Sequence, residues 1–319
     1  MRIATWNVNS LKARLDKVTW WLERARPDVL LMQETKLADA EAPVDVFRRA
    51  GYELAHHGEG RWNGVAIASR CGIEDVVTNF GEALCPAQTD SAERRIHFGA
   101  TTGGSQGGAT QHPPAHHDEG DDEPFAEARM VSARCGGIRV VCLYAPNGRI
   151  VGSVFYEAKL AWFDRLARWL AEAVDPSEPL VLGGDLNVAP ADIDVWDARA
   201  CHGGTHVSGP ERKAFARLCE WGLVDVYRRH HPEPGRYTWW DYRAGNFHKN
   251  FGMRIDHLLT SAPLAGRAVW SEIDREARKG KPVPSDHAPL VLDIDAPGCP
   301  FDAGWTSAEE RIAARRGRP

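Results

Sequence analysis

RIATWNVNSLKARLDKVTWWLERARPDVLLMQETK, residues 2–36, contains the unit from which the rest of the chain can be read. It begins with the short apolar run RIATW (2–6) and closes with another, DVLLMQ (28–33). Between them Leu11, Leu15, Val18, Leu22 and Ala25 recur at helical spacing, and Ser10 stands where a helix N-cap would be. The reading is strand, amphipathic helix, strand. Each strand also stops at polar residues: Asn7 and Asn9 after the first, Gln33-Glu34-Thr35-Lys36 after the second.

Outward from that unit, strand-like runs occupy 64–69, 128–133, 138–144, 180–183, 254–260 and 289–294. Two further helices are expected. One covers 153–174, with Leu160, Phe163, Leu166, Ala167 and Leu170 on one face. The other covers 211–221, opening after Pro210 and stopping before Gly222. Strands and helices alternate along the chain, which places it in the α/β or layered α+β class. A single catalytic domain is expected over 1–295, followed by a loosely ordered tail at 296–319 that ends in the basic ARRGRP.

Residues 99–124 break the pattern. They contain no Val, Ile, Leu, Met, Phe, Trp or Tyr, so they cannot bury enough apolar surface to offset the entropy of ordering, and they read as a disordered surface insertion. Gly103-Gly104-Ser105-Gln106-Gly107 lies inside this stretch. It matches the nucleophile-elbow pattern of acyl hydrolases but has no strand before it and no apolar helix after it, so it is a chance match. His112, His116 and His117 in the same stretch read as part of a flexible tract rather than a metal site.

The 319 residues are 43% hydrophobic and 26% charged, the proportions of a globular protein. No apolar run approaches the roughly 18 residues of a membrane span, and the N-terminus has no signal-peptide pattern. A cytoplasmic, monomeric protein that does not engage membranes is expected. Seven cysteines without paired spacing argue against a disulfide framework or a structural zinc site. The net charge of −5 does not favour nucleic acid, yet residues 118–123 alone hold five acids and no base. Without them the balance is neutral, which leaves room for a locally basic face.

The informative residues stand at strand ends. Besides those after the first two strands, Asn63 precedes 64–69, Tyr144-Ala145-Pro146-Asn147-Gly148 follows 138–144, and Gly183-Gly184-Asp185-Leu186-Asn187 follows LVL. Ser285-Asp286-His287 precedes the last strand. A lone Asn at such a place is ordinarily turn chemistry. Six strands ending this way would instead converge on an acidic, amide-rich edge equipped with one histidine. Oxygen ligands with no Cys favour Mg²⁺ or Mn²⁺ over zinc. On this reading Glu34 and Asp286 are metal ligands with Asn7 beside them. Asp185 orients and deprotonates a water, and Asn187 holds that water or a phosphate. His287 and Tyr144 donate to phosphate oxygens, and Asp256 orients His287. The set describes metal-assisted phosphodiester hydrolysis by an activated water.

TWNVNS, LMQETK, NGVAIASR, EAR, LYAPNGR, GGDLNVAP, WGLVDVYR, YTWWDYR, GMRIDHLL and PSDHAPL, in this order, closely resemble the exonuclease III group of apurinic/apyrimidinic (AP) endonucleases. The QET, GD-x-N and SDH series is shared by the wider endonuclease/exonuclease/phosphatase superfamily, whereas YTWWDYR followed by RID marks the AP endonuclease branch. The resemblance implies two packed mixed β-sheets flanked by helices, with the site at one end. It implies Mg²⁺-dependent cleavage of double-stranded DNA 5′ to an abasic site, leaving a 3′-hydroxyl, with Mn²⁺ able to substitute. Removal of 3′-blocking groups and 3′→5′ exonuclease action accompany that activity.

By motif position, Glu34, Asn7 and Asp286 fall on metal-site residues, and Asp185, Asn187 and His287 complete the metal-binding set. Asp185 also falls on the acid/base residue and Asn187 on its transition-state partner. Tyr144 and His287 fall on phosphate contacts, and Asp256 on the support of His287. Asn147 and Arg149 match residues near the DNA backbone. Trp239, Met253 and Ile255 match the pocket for a flipped-out abasic sugar, for which apolar walls are a physical route to selectivity. Some relatives carry a bulkier aromatic where this chain has Met253, and the insertion at 99–124 is longer than usual in this group and is acidic.

Two other classes compete. A phosphomonoesterase or phospholipase of the same superfamily would share GD-x-N and SDH without needing YTWWDYR and RID. A DNA-binding protein that had lost catalysis would show substitutions at Glu34, Asp185, Asn187, Asp256 or His287, and all five are present.

Overall fold

The computed structural model describes residues 1–81, 127–298 and 301. In chain order its strands are β1 (Arg2–Asn7), β2 (Val29–Gln33), β3 (Glu53–His57), β4 (Val65–Ser69), β5 (Glu74–Thr78), β6 (Met130–Cys135), β7 (Ile138–Tyr144), β8 (Leu180–Asp185), β9 (Leu223–Asp225), β10 (Asp256–Ser261), β11 (Ala268–Ile273) and β12 (Leu290–Ile294). The helices used below are α1 (Leu11–Ala25), α2 (Val44–Arg49), α3 (Val154–Ala173), α4 (Gly209–Glu220) and α5 (Val226–His230). Among the described residues the strands form two six-stranded mixed sheets, ordered β11-β12-β1-β2-β4-β3 and β5-β6-β7-β8-β10-β9.

Strand patterning explains the layering. In β1 and β2, Ile3, Val29 and Leu31 face the second sheet, where they meet Val131, Val140, Cys142, Val181 and Leu258. The alternate residues Ala4, Trp6, Leu30 and Met32 face the other way, onto Leu11, Val18, Trp21 and Leu22 of α1 and Phe47 of α2. The second sheet repeats the scheme: Val141, Leu143, Leu180 and Leu182 pack under Trp162, Phe163, Leu166 and Leu170 of α3 and Phe215 and Leu218 of α4. The layers are therefore helix, sheet, sheet, helix. Both faces of each central strand are covered, so these strands read as unbroken apolar runs rather than as an alternation of apolar and polar residues.

Local signals set the helix ends. Ser10 caps α1 by accepting from the Ala13 amide, and left-handed Arg26, followed by Pro27, ends it. Ser208 and Glu211 form a reciprocal capping box on α4, with Pro210 in its first turn. The expected strands all appear, with β8 running on to Asp185 and the 254–260 run starting two residues later, at Asp256. Strands β3, β5 and β11, together with short β9, escaped the sequence reading. All four are the edge strands of the two sheets, and ELAHH and EDVVT carry little apolar periodicity. The insertion at 99–124, the elbow-like match at 103–107, and tail residues 299–300 and 302–319 lie outside the described residues. Phe301 of that tail is buried against Trp21, with ring centroids 6.4 Å apart. Among the described residues no helix is long and apolar enough to cross a membrane.

A buried polar knot fastens the entrance to β10. The Arg254 guanidinium, 1% exposed, donates to Asp194 at 2.7 Å, to Asp225 at 2.7 Å and to Nδ1 of His257 at 3.1 Å. His257 Nε2 lies 2.9 Å from the Val188 carbonyl, which can only accept, so the ring is neutral with its proton on Nε2. Burial and the Arg254 charge push His257 down to about 4. Such a ring costs nothing above the unfolded value near 6.5. It loses stability as pH falls from there toward 4, because only the unfolded chain then gains the proton. Between pH 7.5 and 5 the wild type should lose about 2 kcal/mol through this ring. In denaturant titrations, His257→Gln should be less stable at pH 7.5 and show a pH dependence flatter by that amount. An unchanged slope would exclude the ring as its source.

Candidate active site

Strand register brings the polar strand ends together. Parallel β1 and β2 set Asn7 beside Gln33, parallel β7 and β8 set Tyr144 beside Asp185, and antiparallel β10 sets Asp256 opposite Asp185. The residues leading into β12 and β4 reach the same rim, since Leu290 pairs with Thr5 and Val65 with Gln33. Gly184 lets β8 leave the sheet close against β7: its φ is +150°, and a Cβ there would lie 1.9 Å from the Leu143 carbonyl oxygen. Asp185 and Asn187 emerge directly after it.

Asn7 lies at the centre of the rim. Its Nδ2 donates to Glu34 Oε1 at 2.8 Å and to Asp185 Oδ2 at 3.0 Å, joining a carboxylate of each sheet, while its Oδ1 accepts from the Asn9 amide at 3.0 Å. Lys36 stands 3.0 Å from Glu34 Oε2 and donates to Asn9 Oδ1 at 2.9 Å. Asn9 Nδ2 in turn donates to Asp286 Oδ1 at 3.0 Å, and the Trp239 indole donates to Asp286 Oδ2 at 3.1 Å. Asn9 is therefore a working part of the rim and not only a turn residue.

His287 and Asp185 face each other across the sheets. His287 Nδ1 lies 2.8 Å from Asp256 Oδ2, and Nε2 lies 3.8 Å from Asp185 Oδ2. Ser285 locks this turn by donating to the Asn7 carbonyl at 2.7 Å and accepting from the His287 amide at 3.1 Å. Burial opposes charge on the ring, but Asp256, Asp185 and Asp286 outweigh it and raise His287 to about 10. Asp185 moves the other way for a carboxylate: burial lifts it to about 7, with Asp256 and Glu34 adding to the rise against His287 and Asn7. A buried carboxyl whose proton affinity lies near neutral pH is suited to accept a proton there. Glu34 is held low, since Lys36, Asn7 and His287 together outweigh its burial. Tyr144 is pushed well up by burial and by Glu34, so its hydroxyl stays a donor.

The Asn187 side chain faces the same space. Its amide nitrogen donates to the Ala145 carbonyl at 3.0 Å, its oxygen accepts from Asn147 Nδ2 at 3.3 Å, and its backbone amide donates to Asp185 Oδ1 at 2.9 Å. Arg149 lies with its guanidinium 3.6 Å from the ring centroid of Phe155. Both flank a cleft lined by Asn63, Glu127, Arg129, Tyr144 and Gly148. On the other side Trp239 and Met253 exchange backbone hydrogen bonds at 2.9 and 3.0 Å and pack with Ile255, Val195 and Ala189. Trp240, by contrast, is fully buried in the inter-sheet core. The rim thus gathers Asn7, Glu34, Tyr144, Asp185, Asn187, Asp256 and His287, with Asp286 joined through Asn9, and has an apolar wall at Trp239, Met253 and Ile255.

The family model described as the endonuclease/exonuclease/phosphatase family matches residues 4–287, which include every one of these groups. The chain belongs to this family. Exodeoxyribonuclease III of Haemophilus influenzae is 28% identical over 302 residues, covering 92% of this chain and all of that protein. Among solved structures, an AP endonuclease from Archaeoglobus fulgidus is 35% identical with a TM-score of 0.77, covering 93% of this chain and all of that one. A 3′–5′ exonuclease from Neisseria meningitidis is 34% identical, with the same TM-score and the same coverage. Family membership and the two packed sheets agree with the resemblance drawn from the sequence motifs.

Sequence reasoning missed Lys36, Lys159, His206 and Glu211, which touch the rim residues or their loops. Lys36 stood within a quoted motif and Glu211 within the Ser208-x-x-Glu211 capping pattern, whereas Lys159 and His206 lie in helix and loop contexts with no polar signature.

The donor set suits a hard divalent cation. Glu34, Asp185 and His287 have atoms within 4.8 Å of one another, and the two carboxylates gathered so closely favour a cation beside them, where the ring could serve as a ligand only in its neutral form. Saturating Mg²⁺ or Mn²⁺ should raise the melting temperature of metal-free wild type by roughly 5 °C. Glu34→Gln should abolish most of that rise in the same thermal-shift measurement. An equal rise in the variant would place the ion elsewhere.

Proposed function

We propose that this chain is a divalent-metal-dependent DNA-repair nuclease that hydrolyses the phosphodiester 5′ to abasic sites in double-stranded DNA. The reading includes 3′→5′ exonuclease and 3′-end-cleaning activity, a single catalytic domain over 1–295, and a monomer acting on DNA in the cytoplasm. The observation that carries it is the line Asp256–His287–Asp185, closed at one side by the Asn7–Glu34 pair and at the other by the Trp239–Met253 wall. A general base and a cationic donor then face each other, with the Trp239 indole bonded to Asp286 beside them.

In this reading Glu34, Asn7 and Asp286 would hold Mg²⁺ or Mn²⁺, and Asp185, Asn187 and His287 would complete the metal site. The ion, when bound, withdraws charge from the phosphate. Asp185 takes a proton from the attacking water, whose oxygen adds to phosphorus in line with the departing 3′ oxygen. Asn187 orients that water or a phosphate oxygen through its side-chain amide. His287, kept protonated by Asp256, donates to a non-bridging oxygen as charge builds there. Tyr144 donates to the phosphate or to the leaving oxygen, which ends as a 3′-hydroxyl. Asn147 and Arg149 face the backbone beside the break. Trp239, Met253 and Ile255 would receive a deoxyribose that has lost its base, their apolar side chains favouring the bare sugar over a nucleotide that bears its base.

A 5′-labelled duplex with one tetrahydrofuran abasic analogue tests this on a denaturing gel. Wild type with Mg²⁺ should give one cut directly 5′ to the analogue, and EDTA should remove it. Asp185→Asn should slow the cut by on the order of 10³-fold. A ladder shortened from the 3′ end without that cut would reassign the chain to exonuclease or 3′-phosphatase action. No cleavage would move it to phosphomonoester or phospholipid substrates.

A further inference from the structure

Behind the loops that carry Asn147 and Asn187 lies an ion pair with no access to solvent. Lys159 of α3 and Glu211 of α4 are both 0% exposed, and their charged atoms are 2.5 Å apart. An ammonium has three donors, and here each has an acceptor: Glu211 Oε1, the Asn187 carbonyl at 2.6 Å and the Asn147 carbonyl at 3.2 Å. Each carbonyl is held a second time. The Asn187 carbonyl accepts from His206 Nδ1 at 2.7 Å, and the Asn147 carbonyl accepts from Thr205 Oγ1 at 3.1 Å. Glu211 ties down the same segment through the His206 amide at 3.0 Å and Ser208 Oγ at 2.6 Å. Gly148 lies against the lysine stem: its φ is +84°, and a Cβ there would stand 2.9 Å from Lys159 Cδ.

Beyond Tyr144 and Asp185 the ladder between β7 and β8 ends, so strand pairing no longer fixes the two loops. The buried ammonium is bonded to a carbonyl of each loop. A fully buried ion pair adds little stability over apolar residues of similar volume, so fold stability is a poor account of its presence. We propose that Lys159 and Glu211 are positioning residues that hold the Asn147 and Asn187 main chains, and through them both side-chain amides, in register with Asp185. The inference rests on the nuclease reading for what the amides do, though not for how they are held.

Lys159→Met/Glu211→Leu removes both charges together and leaves neither unpaired. With the abasic duplex its kcat should fall on the order of 100-fold while KM stays within about threefold, since a small displacement of an orienting group acts mainly on the transition state. Its melting temperature should fall by several degrees, because the His206 amide and Ser208 lose their acceptor, so kcat is read well below that temperature. In an Asn187→Ala background the same pair of changes should alter kcat less than about threefold, because the group they position is gone. Full kcat in the folded double variant, or losses that simply multiply with Asn187→Ala, would overturn the inference.

Glu211→Gln keeps the shape and removes one charge. It repeats the cycle if the double variant does not fold, with a kcat loss of roughly tenfold that again disappears beside Asn187→Ala. Hydrogen exchange gives a readout that needs no activity. Peptides covering 145–149 and 185–189 should exchange about tenfold faster in either variant, with the rest of the chain unchanged. Unchanged exchange there would overturn the inference even if the wild type proved inactive. An active wild type, a dead Asp185→Asn and fully active clamp variants would remove this inference and leave the nuclease reading standing.

Discussion

The rim depends on one amide. Asn7 Nδ2 donates at once to Glu34 on its own sheet and to Asp185 on the other, so the contact is both a seam between sheets and a spacer between two carboxylates. Side by side without a donor, two buried carboxylates would repel and one would take up a proton. Lys36, with the Asn7 donor, keeps Glu34 low, while burial lifts Asp185 to about 7 against the same donor. Every other group at the rim is placed relative to this pair: His287 across from Asp185, Lys36 against Glu34, and Asn187 hydrogen-bonded to Asp185 through its own amide.

The central strands were legible in the sequence because each is covered twice. RIATW, DVLLM and LVL need no alternation when both faces are buried, and their apolar runs stand out against the polar residues that end them. Edge strands gave no such signal: EDVVT in β5 is mostly exposed, and its pairing with β6 comes from context rather than composition. The rim residues were legible for a related reason. A carboxylate or amide directly after a buried strand has to satisfy its polarity at the strand end, so Asn7, Glu34, Asp185 and His287 could be read as a group. Convergence itself could not be read, because it depends on register, such as Asp256 standing opposite Asp185.

Lys159 and Glu211 show where such reading fails. In VFYEAKLAWFDRL a lysine beside alanine and leucine looks like an ordinary surface residue of an amphipathic helix. Its burial follows from the approach of α4 and of the loops after β7 and β8, which come from three separate regions of the chain. The Arg254 knot has the same character: Asp194, Asp225 and His257 meet the guanidinium only once the strands are paired. Buried charges of this kind are tertiary facts, and short-range spacing carries no trace of them.

The pairing of β1 with β12 has a consequence in time. Arg2 pairs with Asp293 and Thr5 with Leu290, so β1 has to wait for a strand that lies far later in the chain. Until then β1 lacks a neighbour on one side, and Asp286 and His287, which lie just ahead of β12, are not yet made. A nascent chain can therefore hold Asn7, Glu34, Asp185 and Asp256 and still lack the cationic donor that faces Asp185. The site is completed only once the segment leading into β12 has been made, and a polypeptide cut short before it carries Asn7, Glu34, Asp185 and Asp256 without the ring that faces Asp185.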